Sequence, residues 1–183
     1  MRKHGWHFVF SQQIAEFEDI KERYEDDKLV ELEKLTHIVI EVEGDQLKIG
    51  RTSSSSTLYL NENAKQYAKE SVSYSSFIRL NDIKASTQYV EDGKYSSVKI
   101  NEFLKKNELD GSFHDDINTL NFIYPKMGPG SITKLETNES ILNPRFLGSF
   151  YFGGYYPIIY SKLEIKVDNK VNLTFKPFNI EGL

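Results

Sequence analysis

The residues of this chain that could do chemistry are four histidines and a few charged side chains near apolar runs. His4 and His7 stand three apart, His37 opens an apolar stretch, and His114 precedes Asp115-Asp116. Histidine binds metals and moves protons near neutral pH. A His-x-x-His pair on an extended segment, however, sends its two side chains to opposite faces, so neither a metal nor any other cofactor is expected. His37, Lys48 and Arg51 gather along one short segment, a set that would suit an enzyme acting on nucleic acid or nucleotides. Glu164-Ile-Lys166 puts an acid and a base on one face of a strand. No Gly-x-Ser-x-Gly elbow, phosphate loop with Gly-Lys-Ser/Thr or dinucleotide fingerprint occurs.

Three short stretches resemble known families. The run from His37 to Thr52 resembles the opening hairpin of GIY-YIG nucleases, with Lys48-Ile49-Gly50 as the second triplet and His37 or Val39 where that family keeps a tyrosine. The resemblance implies a catalytic arginine further on, but the chain continues Ser53–Ser56, and Lys65 is the first base after Arg51. Glu164-Ile-Lys166 is similar to the Glu-x-Lys of PD-(D/E)xK nucleases, which implies an earlier magnesium-binding aspartate. The nearest acids upstream are Glu139 and Glu136, with no Pro-Asp pair. Ile49-Gly50-Arg51 resembles the start of forkhead-associated phosphothreonine-binding domains, which need a later Ser-x-x-His; Ser73–Ile78 contains no histidine.

Charge is distributed unevenly. Residues 16–34 hold nine acids and four bases, a balance of −5 against −4 for the whole chain, so the remainder sums to +1. The body therefore lacks the general basic footprint of a nucleic-acid binder. The acidic block instead offers Glu18, Glu22, Glu25 and Asp26 to a protein partner with a basic surface. A second candidate surface is the segment Phe146–Tyr160, where Tyr151, Tyr155 and Tyr156 sit among glycines and phenylalanines. Tyrosine gives a large contact area at little entropic cost.

The elements that would position these groups follow from periodicity. Ile14, Phe17, Ile20 and Tyr24, then Leu29, Leu32 and Leu35, mark a helical stripe over 13–35 with a phase shift at Asp26-Asp27; Ser11 would cap it. Trp6, Phe8 and Phe10 suggest a short opening strand. Residues 37–50 read as a hairpin with the two-residue turn Gly44-Asp45, pairing Val42 with Leu47 and Ile40 with Ile49; Gly first in the turn suits type II′. A closing hairpin is expected around Asp168-Asn169-Lys170, with Val167 against Val171 and Ile165 against Leu173. Between them, Ser53–Ser56 reads as a loop and Thr57–Leu60 as a short strand. Asn61–Glu70 reads as helical turns, Ser71–Leu80 as a strand, and 88–90 with 94–99 as strands about a turn. Asn101 would cap a short helix through Leu109, and Thr119–Tyr124 and Ser131–Thr137 read as strands.

The expected class is α+β over residues 1–183 as a single domain: a mainly antiparallel β sheet, sandwich or partly open barrel with one long acidic N-terminal helix and one or two short helices. With no cysteine, no signal-peptide layout and no apolar run approaching the ~20 residues that span a bilayer, the chain reads as soluble and cytoplasmic, with no membrane partner. The function expected first is a non-enzymatic protein-interaction module, an inhibitor, immunity protein or accessory subunit of a bacterium or phage. A nucleic-acid or nucleotide enzyme is the alternative, and a phage structural subunit a third.

Overall fold

The computed structural model describes residues 16–107 and 117–179. Among the described residues nine strands follow in chain order: β1 Leu29–Glu43, β2 Gln46–Tyr59, β3 Lys69–Tyr74, β4 Ile78–Glu91, β5 Lys94–Lys99, β6 Leu104–Asn107, β7 Asn118–Ile123, β8 Ile132–Ile141 and β9 Ser161–Val167. Six of them form a sheet in the order β5-β4-β8-β2-β1-β9, and three form a second sheet in the order β3-β7-β6. Every pairing is antiparallel except that of β1 with β9.

The hairpin at 37–50 forms with the expected register, Val42 against Leu47 and Ile40 against Ile49. Gly44 takes φ +60, the left-handed geometry that the first residue of a type II′ turn requires. β2 runs far beyond Ile49, so Ser53–Ser56 belong to a strand and not to a loop. Serine has no marked strand preference, but β2 is bonded on both sides, to β1 and to β8, and the two ladders together outweigh local propensity.

Among the described residues the long acidic helix is not present, and the α+β class gives way to a chain that is mainly β. Residues 16–23 are helical, 24–26 turn, and β1 begins at Leu29. Leu29, Leu32 and Leu35, whose spacing looks helical, mark no single stripe: Leu29 packs with Tyr59 on one face of β1 and Leu32 with Val30 on the other. The β1–β2 register shifts between Glu31 and Glu33, which makes Leu32 the extra residue. Val30 and Leu32 then pack with Leu58, Leu60 and Ile132 beneath Phe17, Ile20 and Tyr24 of the helical stretch.

The closing hairpin is also corrected. β9 lies parallel to β1, with Ile38 beside Ile165 and Ile40 beside Val167. Val171 N–H donates to the Asp168 carbonyl at 3.0 Å in a turn, and residues 171–175 form no strand. Val171 and Leu173 instead pack on Ile38, Ile40, Ile49 and Ile141. Alternation marks which side of a strand is apolar but not which neighbour it joins. Residues 104–107 are likewise strand and not the expected helix. The opening strand at Trp6–Phe10, the cap Ser11, His4, His7 and His114 lie outside the described residues.

Residues directly opposite across a ladder share a face. On one face of the large sheet, Ile38, Ile40, Ile49 and Ile141 form one core cluster. On that same face, Ala85 and Tyr59 join Phe122, Tyr124 and Met127 of the β7 region in a second. The small sheet covers this second cluster. The β8–β9 connection crosses the first, with Leu147 packed on it.

Candidate functional site

The ladder separates the three residues that the sequence groups as a catalytic set. His37 stands opposite Thr52 and Lys48 opposite Glu41, whereas Arg51 stands opposite Ile38. Strand parity therefore sends His37 and Lys48 to the outer face and Arg51 to the core face. Arg51 Nε donates to Glu139 Oε2 at 2.6 Å, and Glu139 is buried. Lys48 pairs with Glu43. His37 Nε2 lies 3.9 Å from Glu164 Oε1, whose carboxyl is held below its usual range by a hydrogen bond from Lys162 and by the charges of Lys162 and His37. Among the described residues, no three His, Asp or Glu side chains gather where they could hold a metal ion. A cavity of about 630 Å³, lined by Ser55, Ala85, Ile100, Phe103 and Leu135 among others, touches none of the predicted site residues.

The acidic residues, by contrast, share one groove. Glu18 and Glu22, four apart, lie on one side of the helical stretch, and Glu25 follows in the turn. With Asp27, Tyr24, Leu60 and Asn61 they line a groove of about 350 Å³, in which Lys21 is the one base. Asp26 is exposed beside it. Three backbone bonds fix the neighbourhood. Asp27 N–H donates to the Tyr24 carbonyl at 3.0 Å, and Leu60 N–H to the Lys28 carbonyl at 2.9 Å. Glu31 N–H donates to the Pro157 carbonyl at 2.9 Å. The last of these, with a bridge between Glu31 and Ile158, anchors the Tyr155-Tyr156-Pro157 turn on the strand that leaves the acidic segment.

The tyrosines form a graded cluster from core to solvent. Tyr59 is buried, its ring 6.3 Å from that of Tyr67; the Tyr67 and Tyr156 rings meet edge to face at 6.0 Å. Tyr155 meets Tyr156 edge to face at 4.9 Å and is 94% exposed. The Tyr156 hydroxyl donates to the Tyr67 hydroxyl at 3.0 Å. This bond, partial burial and the negative charge developing on Tyr67, Tyr155 and Asp27 push the Tyr156 phenol up to about 12. Tyr151 is exposed further along the connection, where Lys34 Nζ donates to its carbonyl at 3.0 Å and stands 5.7 Å from the Phe150 ring. Sequence reasoning passed over Asp27 as one acid among nine and Tyr67 altogether. The available signal was Asn61, which caps the 3-10 helix Glu62–Tyr67 through the Asn63 N–H and so fixes where Tyr67 emerges.

The family described as a "Domain of Unknown Function with solved-structure structure" (DUF3857) matches residues 50–182. The chain belongs to the DUF3857 family. No curated protein matches it. Among solved structures, this DUF3857 chain is similar to a protein from Parabacteroides distasonis described as a "putative protease", with 14% identity and a TM-score of 0.61. That match covers 78% of this chain and 29% of the other, so the DUF3857 chain spans less than a third of the longer protein. A Legionella pneumophila protein described as a "putative nutrient binding protein" matches at 8% identity and a TM-score of 0.32, over 62% of this chain and 39% of that one. The first likeness establishes the fold. No helix among the described residues of this DUF3857 chain is long and apolar enough to cross a membrane.

Proposed function

We propose that this chain is a non-enzymatic protein-interaction module of accessory type, which binds a protein presenting a basic surface. The observation that carries this reading is the groove lined by Glu18, Glu22, Glu25 and Asp27, with Asp26 exposed beside it. These acids complement a cationic partner in charge, and the exposed Tyr151 and Tyr155 offer a second surface with large contact area. The engagement of Arg51 with Glu139 on the core face supports a structural rather than a catalytic use for that arginine. A fold that makes up 29% of a longer protein elsewhere suits an accessory part.

Affinity capture from a lysate of the source cell, with the native chain and with Glu18→Lys/Glu22→Lys/Glu25→Lys, tests the reading. A basic protein recovered in stoichiometric amount by the native chain and lost by the charge-reversed one is the expected result. Equal recovery by both, or none by either, overturns it. Turnover of DNA, RNA or cyclic nucleotides with magnesium or manganese, lost on Arg51→Lys, would overturn it in favour of an enzyme.

A further inference from the structure

We infer that the outer edge of β9 is a self-association site, through which two copies of this chain pair antiparallel about Ile165 and join their large sheets into one. It concerns a different surface from the acidic groove and does not depend on the basic-partner reading.

β9 ends the large sheet, and among the described residues no strand lies on its outer side. Its bonds to β1 come from alternate residues. Lys34 N–H donates to the Tyr160 carbonyl at 2.8 Å, and Asp168 N–H donates to the Ile40 carbonyl at 2.8 Å. The backbone groups of the even-numbered residues therefore face β1, and those of Ser161, Leu163, Ile165 and Val167 point out along the edge. The chain does not fold back over them, because residues 171–175 form no strand and Val171 and Leu173 pack on the core cluster. Leu163, Ile165 and Val167 pack against that cluster too, yet each stays only half-buried, with apolar surface left for a neighbour. An open edge of this kind is a template for a further strand.

The side chains select a second copy as that strand. Lys162, Glu164 and Lys166 are exposed on the outer face, and Asp168 follows them at the same parity. An antiparallel pair centred on Ile165 keeps outward amides opposite outward amides. It sets Glu164 of each copy opposite Lys166 of the other and Lys162 opposite Asp168, with Leu163 against Val167 on the core side. Every charged pair across the joint is then of opposite sign, and each occurs twice because a two-fold interface is self-complementary. Neighbouring registers fit less well. Centring on Glu164 brings that carboxylate against its own copy and Lys162 against Lys166. Centring on Leu163 keeps Lys162 against Glu164 but leaves Lys166 against Tyr160. Lysines on an edge ordinarily deter pairing; here the glutamate between them turns the deterrent into a match.

The charged groups can reach across. Among the described residues Lys166 has no ion pair. Asp168 accepts from Lys170 N–H at 2.9 Å through Oδ1 alone. Glu164 stays exposed although Lys162 Nζ donates to it at 2.6 Å and His37 lies 3.9 Å away.

A joint one strand long is small, so it should appear as a weak dimer that depends on concentration. Sedimentation velocity from micromolar to near-millimolar protein should show the native chain rising toward twice the mass of one chain. Glu164→Lys sets like charges against each other in all three registers and should hold the protein at the mass of one chain. Glu164→Lys/Lys166→Glu restores opposite signs only in the register about Ile165, and should return the native behaviour. Far-UV circular dichroism of each variant separates loss of pairing from loss of fold. A native chain that keeps the mass of one chain throughout overturns the inference. So does a Glu164→Lys variant that dimerises like the native chain, or a folded double variant that does not. Both variants keep Glu18, Glu22 and Glu25, so these outcomes bear on the β9 joint and not on capture of a basic partner.

Discussion

Arg51 and Glu139 face each other across the β2–β8 ladder, with Nε 2.6 Å from Oε2, on the face that also carries Ile38 and Leu80. The carboxylate is 9% exposed and the guanidinium 23%, so water screens the pair little. Removing one partner strands the other in an apolar layer, whereas replacing both with apolar groups of similar volume does not. Arg51→Ala should therefore lower unfolding stability by ~3 kcal/mol, and Arg51→Met/Glu139→Leu should recover most of that loss. Urea unfolding of the two variants beside the native chain measures both values. A double variant as unstable as the single one would count against a simple ion pair.

Glu31 is bound into the architecture through its backbone, while its side chain is partly buried. Burial raises its pKa above the ordinary 4.5, against a smaller lowering by Lys34. A carboxyl whose folded pKa is raised contributes its stability fully below the unfolded value and loses it as pH climbs through the folded one. At neutral pH the charged side chain is therefore a net cost. Glu31→Gln should raise stability at pH 7 by up to ~0.5 kcal/mol, the ordinary limit for a partly exposed position. The gain should shrink to nothing below pH 4.5. Thermal melts of both proteins across that range give the comparison.

Gly44 has nothing within 4 Å of a Cβ added to it, and its φ is +60. A substitution there meets no clash and pays only for the left-handed backbone. Gly44→Ala and Gly44→Asn should each cost roughly 1–2 kcal/mol, because the first position of a type II′ turn, unlike the αL region that asparagine tolerates, suits glycine alone. Chemical denaturation measures both. A clearly smaller loss in Gly44→Asn would mean that the turn has changed type.

The parts of the fold written into the sequence are those where local chemistry and long-range pairing agree. Gly44-Asp45 between alternating apolar residues has one good solution, and the hairpin takes it. Ser53–Ser56 carry no such mark, because their strand is imposed by neighbours on both sides and not by their own preference. Leu29, Leu32 and Leu35 look helical by spacing alone, yet Leu29 and Leu32 pack on opposite faces of a strand whose register shifts at Leu32. At the candidate site, the glutamates and tyrosines could be named from residue type and spacing. What anchors the tyrosine turn could not, because Glu31 bonds to Pro157 and Ile159 across more than a hundred residues of chain. Tyr67 was hidden for the same reason: its role comes from Tyr156, which is 89 positions away.

The parallel seat of β9 beside β1 has a consequence for biosynthesis. β1 is made early and pairs with β2 at once through a two-residue turn, yet its other edge stays open until Ser161–Val167 leave the ribosome. For most of translation, a long strand with buried Ile38 and Ile40 offers unpaired amides to any extended chain nearby, the condition under which nascent chains pair wrongly or exchange strands. A fragment limited to residues 50–182 would carry β9 without β1, the strand that receives it, and would leave β2 bare along the same edge. β9 thus acts as a stopper for the open edge of β1, and loss of either strand leaves an inner strand of the large sheet uncovered.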